Sequence, residues 1–182
     1  MRGYMKNIEI EFRAIITKDK HDWLNDFLLA NAKDLGQDNK ESVFYIMSNK
    51  LFKVVNETSK EKAKIVLKDN HISSGSNLKE WEVKISPSEF DIAVDLFNHL
   101  ALPAKIDRSH QKRHNYLYKD VEIALKYSDA WKYHVEMEIV VDDIAKKQEA
   151  EQKIKAIADE LNIKLMTDKE IEDFTKAFEE NL

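Results

Sequence analysis

Strict alternation of apolar and charged residues, repeated in segment after segment, is the feature that most constrains this chain. Ile8-Glu9-Ile10-Glu11-Phe12-Arg13-Ala14 sets the pattern. As a β-strand it sends Ile8, Ile10, Phe12 and Ala14 to one face and Glu9, Glu11 and Arg13 to the other. One such strand alone reads as ordinary half-buried sheet with its polar face in water. Recurrence moves the reading beyond that. Over Lys62 to Lys68, Ala63, Ile65 and Leu67 oppose Lys62, Lys64, Val66 and Lys68. Over Leu78 to Ile85, Trp81, Val83 and Ile85 oppose Glu80, Glu82 and Lys84, and over Trp131 to Val141 the set Tyr133, Val135, Met137 and Ile139 opposes His134, Glu136 and Glu138. Lys, Arg and Glu fill positions where Thr, Ser or Asn would do. A row of lysines two residues apart either blocks a sheet edge or meets an anion lying against that face.

Helical periodicity accounts for most of the rest. Lys18 to Leu35 reads as a helix with Trp23, Leu24, Phe27, Leu28 and Ala32 inward and Gly36 as its C-terminal stop. Ser42 to Met47 and Leu51 to Asn56 form a hairpin turning at Ser48-Asn49-Lys50, with Lys53 on the face of Leu51 and Val55. A Ser/Asn/Gly-rich loop covers Asn70 to Asn77. Ser86-Pro87-Ser88-Glu89 is an N-terminal signature for a helix packing through Phe90, Ala93, Val94, Phe97 and Leu100. Ala104 to Tyr118 holds the densest basic segment, and Val121 to Tyr127 alternates into a hairpin at Ser128-Asp129. Asp142 to Leu161 and a final helix from Thr167 or Asp168 close the chain. The first turns Ile144, Ile154, Ile157, Ala158 and Leu161 inward. The last carries Ile171, Phe174 and Phe178, which either buttress the sheet or make a homodimer contact.

About eight strands with hairpin-like neighbours imply an α+β fold: an eight-stranded antiparallel β-barrel with inserted and C-terminal helices. Alternation does not settle which face points inward. Apolar faces filling the centre would make the charges solvated decoration. Charged faces lining it would need cover outside, which the helical stripes could supply.

The length of 182 residues suits one domain, with the barrel over about 6–141 and helices over about 142–182. A net charge of −5 with no dominant Lys/Arg run argues against a nucleic-acid partner. Without cysteine there is no disulfide framework, thiolate nucleophile or Cys-ligated zinc. No stretch approaches the roughly 18 apolar residues of a spanning helix, so a cytoplasmic protein without membrane contact is expected. Three glycines, Gly3, Gly36 and Gly75, cannot build a backbone phosphate cradle. Any phosphate must be held by side chains. His110, His114 and His134 lack the spacing of a zinc site and read as surface or pairing histidines.

Taken together, Glu9-x-Glu11-x-Arg13, Lys68 of Val66-Leu67-Lys68, Arg113 in a basic strand and Glu136-x-Glu138 in the last strand resemble the CYTH superfamily, the triphosphate tunnel metalloenzymes. The resemblance covers Lys6 to Val141. It implies a charged tunnel in which basic residues bind a triphosphate and carboxylates of the first and last strands hold Mg or Mn. Glu9, Glu11, Glu136 and Glu138 then become metal ligands. Arg13, Lys68 and Arg113, with Lys53 at a further basic position, grip phosphate, and Glu80 and Glu82 match an acidic pair on the wall. Four positions depart from the family pattern. Arg13 replaces a usual lysine and cannot deprotonate at working pH. Gln111 stands where Lys is frequent, Lys126 where Asp is common, and Val55 where a second Arg is frequent. The expected activity is metal-dependent hydrolysis of a small triphosphate. The alternatives are a class IV adenylyl cyclase and a tunnel that binds polyanions without turnover.

Overall fold

Charged and apolar faces separate in space as the alternation requires, and the computed structural model shows what covers the apolar ones. It describes residues 8–68 and 80–180, so the loop expected over Asn70 to Asn77 lies outside the described residues. Nine strands pair in one antiparallel sheet, one more than expected. The hydrogen-bonded path begins at β1 (Ile8–Ile15) and passes through β9 (Lys132–Val141), β8 (Val121–Ser128) and β7 (Lys105–Tyr118). It continues through β3 (Lys40–Ile46), β4 (Leu51–Glu57) and β5 (Lys62–Lys68) to β6 (Glu80–Ile85). The additional strand β2 (Lys33–Gln37) pairs with β7, and no ladder joins the ends of the path among the described residues. No described helix is long and apolar enough to cross a membrane. Two compact units divide the chain.

The first unit holds residues up to Gly36, His114–Tyr127 and Trp131–Thr167. Its core joins Ile10 and Ala14 of β1, Ile123 and Leu125 of β8, and Val135 and Met137 of β9. Against them lie Leu24 and Leu28 of α1 (Lys18–Asn31) and Ile154, Ile157 and Ala158 of α3 (Lys147–Glu160). Each fully buried Leu or Ile stabilises the fold by roughly 1.5–3 kcal/mol. Thr17 caps α1, its side chain accepting from the Lys20 N–H at 3.2 Å. The helix stops at Asn31, short of the expected Leu35, because residues 33–37 pair with β7 instead. Gly36 is therefore no helix stop; it sits within β2 at φ +88°. Trp23, expected inward, is 47% exposed; it stacks on Phe27 at 5.4 Å beneath the Lys20 ammonium at 4.1 Å. Ile144, also expected inward, is exposed because Asp143 caps a 3-10 turn there before α3 begins. The β7–β8 hairpin turns on Lys119 and Asp120, at φ +50° and +60°, the mirror-image geometry that suits the strand twist.

The second unit holds Gln37–Arg113, Ser128–Ala130 and the chain from Asp168 onward. Its core sets Val43 and Tyr45 of β3 and Val54 of β4 against Phe90, Ala93 and Val94 of α2 (Phe90–His99). The buried Tyr45 hydroxyl donates to Asn98 Oδ1 at 3.0 Å, so burial leaves it no unmet donor. Ser86 and Glu89 form the expected capping box, with the Ser86 N–H donating to Glu89 Oε2 at 2.7 Å. Leu100, expected in the packing stripe, is exposed beyond the helix end. On α4 (Asp168–Glu180), Ile171, Phe174 and Phe178 are half-buried around buried Thr175.

Candidate functional site

In the first unit the apolar faces of β1, β8 and β9 turn toward α1 and α3, which leaves the charged faces on the other side of the sheet. The β1–β9 register sets Glu11 opposite Glu138, Arg13 opposite Glu136 and Glu9 opposite Val140. Like charges directly opposed, as Glu11 and Glu138 are, repel. Arg13 links Glu11 to the neighbouring Glu136. Its Nε donates to Glu11 Oε1 at 2.5 Å and lies 3.2 Å from Glu136 Oε1. Burial works against the Arg13 charge, but Glu11 and Glu136 more than offset it and raise its pKa. Lys126 on β8 donates to the other oxygen, Glu136 Oε2. Lys126, His134 and Glu136 are all under 9% exposed, although Leu125, Val135 and Met137 beside them are buried in the core. At Lys126, His134 and Glu136 the polar face of β8 and β9 is thus buried as well as the apolar one, while Glu9 and Glu11 of β1 are exposed.

His134 is on the same face. Burial lowers its pKa to about 4, Lys126 and Arg13 add to that, and Glu136 and the Lys132 carbonyl oppose it. The Lys132 carbonyl is 3.0 Å from His134 Nδ1. Trp131, which the alternation gives no reason to single out, lies 5.5 Å under the Arg13 guanidinium and 5.6 Å from the His134 ring. Its position past the hairpin tip is the only sequence signal it carries.

In the second unit Lys53, Lys64 and Lys68 share one face of β4 and β5. Lys53 is opposite Val66 and therefore diagonal to both of the other lysines. Lys64 donates to Glu82 Oε2 at 2.8 Å and lies 3.7 Å from Glu57 Oε1. The bond from Lys64 lowers the Glu82 pKa against desolvation, with help from Lys84 and Lys53. Val55, where the resemblance leads one to look for arginine, is buried opposite Lys64. Arg113 is half-buried on β7, its N–H donating to Asn39 Oδ1 at 3.0 Å and its carbonyl accepting from the Asp38 N–H at 2.8 Å. Asp38 is 5% exposed; Lys40 and Lys60 approach its Oδ2 at 3.2 and 3.1 Å. The histidines set aside as zinc ligands are paired: His110 with Glu41 at 3.3 Å and His114 with Asp34 at 2.7 Å.

The structure thus brings Glu11, Arg13, Glu136 and Glu138 together on one ladder, with Glu9 further along the same face. Lys53, Lys68 and Arg113 belong to the second unit. Among the described residues no three Asp, Glu or His side chains converge in metal-holding geometry. The donor set still suits a hard divalent ion. The carboxylates of Glu9, Glu11, Glu136 and Glu138 lie on one face of the β1–β9 ladder, and all offer oxygen.

A family model for the CYTH domain matches residues 7–170. Among solved structures, the PH1012 protein of Pyrococcus horikoshii OT3 superposes with a TM-score of 0.64 at 22% identity, over 86% of this chain and 91% of that one. A candidate adenylyl cyclase from Hippeastrum, described as having a dominant triphosphatase activity, gives 0.62 at 13% identity, over 87% and 89%. A candidate adenylate cyclase from Vibrio parahaemolyticus gives 0.61 at 14%, over 91% and 98%. Curated protein sequences offer no match. At these identities the structural likeness establishes the fold. The family match takes in every strand, so the alternation, the paired Glu-x-Glu segments and the sheet have one common explanation: the chain belongs to the CYTH domain family.

Proposed function

We propose that this protein is a divalent-metal-dependent hydrolase of a small triphosphate, whether inorganic triphosphate, thiamine triphosphate or a nucleoside triphosphate. The observation that carries the reading is the ionic face of β1 and β9 on the side of the sheet away from the core, where Glu11 is opposite Glu138 and the buried Glu136 sits between Arg13 and Lys126. Burying charge is costly, and a fold keeps it where electrostatics serve a task. Glu9, Glu11 and Glu138 offer oxygen ligands for Mg or Mn, whereas Glu136, the fourth expected ligand, has Arg13 and Lys126 at its two oxygens. When bound, the metal polarises phosphoryl oxygens and offsets the charge that develops on them. Arg13 presents a guanidinium that stays protonated, so it orients and neutralises phosphate and takes no proton from water. Lys53, Lys68 and Arg113 are proposed phosphate contacts, as point charges and, for Arg113, as a planar fork.

The second reading is a class IV adenylyl cyclase, favoured by the likeness to candidate cyclases. Hydrolysis stands first because it needs no orientation of purine or ribose, and because triphosphatase activity dominates in the Hippeastrum relative's description. The test is product analysis with tripolyphosphate, thiamine triphosphate and ATP in Mg or Mn. Orthophosphate, abolished by chelator, is expected. Cyclic AMP with pyrophosphate would replace the hydrolase by the cyclase, and binding without turnover would replace both by a polyanion-binding protein.

A further inference from the structure

Arg13 and Lys126, both on the carboxylate face of the first unit, differ in kind. Arg13 is 27% exposed in its side chain and bridges two strand neighbours, Glu11 and Glu136. Lys126 is 6% exposed and donates to Glu136 Oε2. Glu136 therefore meets a resident cation at each oxygen. On β8, Lys126 shares its face with Ala124 and Ser128, while Ile123 and Leu125 fix the strand from the core side. Neither partner of such a pair can leave alone, because a lone buried ammonium or carboxylate is far more costly than the pair.

We propose that Lys126 is a resident cation occupying, at Glu136, a place that a divalent ion would otherwise take. A metal at Glu136 would have to displace a touching ammonium and then endure its charge at close range. Arg13 stands differently. Its partial exposure lets it trade Glu11 for a phosphate oxygen when an ion arrives near Glu9, Glu11 and Glu138. The face is thus divided, with a permanent internal cation on the β8 side and an exchangeable one on the β1 side. The inference rests on the metal-dependent reading for its chemistry. It concerns the number of ions the face takes, independently of what is turned over.

The test is a calorimetric titration of the full chain with Mn2+ alone, in the absence of triphosphate, with folding checked by circular dichroism. Lys126→Asp exchanges the ammonium for an oxygen donor beside Glu136. It should bind one Mn2+ more than the wild type, melt lower in chelator, and gain more in melting temperature on adding Mn2+. A folded Lys126→Asp that binds no additional ion overturns the proposal. Should that variant fail to fold even with Mn2+, Lys126→Met decides: Mn2+ should raise its melting temperature by several degrees more than that of the wild type, and an equal rise overturns the proposal. A wild type that binds no Mn2+ while Lys126→Asp binds one upholds the role of Lys126 and strikes the metal-dependent hydrolase instead. Absence of phosphate release from the wild type likewise strikes that reading and leaves the ion count standing.

Discussion

The two units differ in how deeply their cross-strand ion pairs are buried. In the first, Lys126, His134 and Glu136 are buried, and two long helices bury a core running from Ile10 to Ile163. In the second, one helix packs on a smaller core, and the lysine face of β4 to β6 keeps its pairs open, with Lys64 and Glu82 about a third exposed in their side chains. Buried pairs are fixed by the cost of separating them, whereas exposed pairs exchange readily with water and ions. The first unit is accordingly preorganised around its carboxylates.

The sharpest way to break this contrast is to delete an acceptor in each unit. Glu136→Leu removes the carboxylate that Arg13 and the buried Lys126 share and should cost about 3–5 kcal/mol in urea unfolding. Glu82→Leu should cost under about 1 kcal/mol. Equal costs would erase the distinction. Next in size is the pH dependence of the first unit. His134 titrates at about 4 when folded, against an ordinary value of about 6.5. The unfolded chain therefore binds the extra proton in between, so this contribution is full above pH 6.5 and is lost as pH falls toward 4. It amounts to about 3 kcal/mol. The difference between wild-type and His134→Gln unfolding curves over that window should narrow as pH falls, and a constant difference would place the imidazole in water. A small effect is expected again in the second unit, where Ser86→Ala removes half of a capping box and should cost about 1 kcal/mol. A larger loss would mean that α2 anchors more than its own small core.

Much of the fold was legible because the period of two survives wherever one face is buried. β5 spans Lys62–Lys68 as the alternation indicates, and β9 separates Val135 and Met137 from Glu136 and Glu138 as expected. Helix limits were less legible. Gly36 looks like a stop, yet tertiary pairing of residues 33–37 with β7 ends the helix earlier. Trp23 fits the apolar stripe by spacing, but a stacked Phe27 and the Lys20 ammonium satisfy it at the surface. At the candidate site, the one-dimensional pattern gives the carboxylates and Arg13 but not their partners. That Lys126 meets Glu136 depends on how β8 lies beside β9, and composition alone cannot tell a buried ammonium from a solvated one. The exposure of Leu100 and Ile144 follows similarly from where a helix begins or ends, to which periodicity is blind.

The central claim, that the carboxylate face of the first unit serves a metal-bound triphosphate, is tested most directly by melting the chain with Mn2+ and tripolyphosphate. Ligand at a hundredfold excess over its Kd should raise the melting temperature by about 5–10 °C. Glu138→Gln, which keeps the volume and removes one charge opposite Glu11, should reduce that rise to near zero. A wild type that does not shift, or a Glu138→Gln variant that shifts as much as the wild type, would contradict the account.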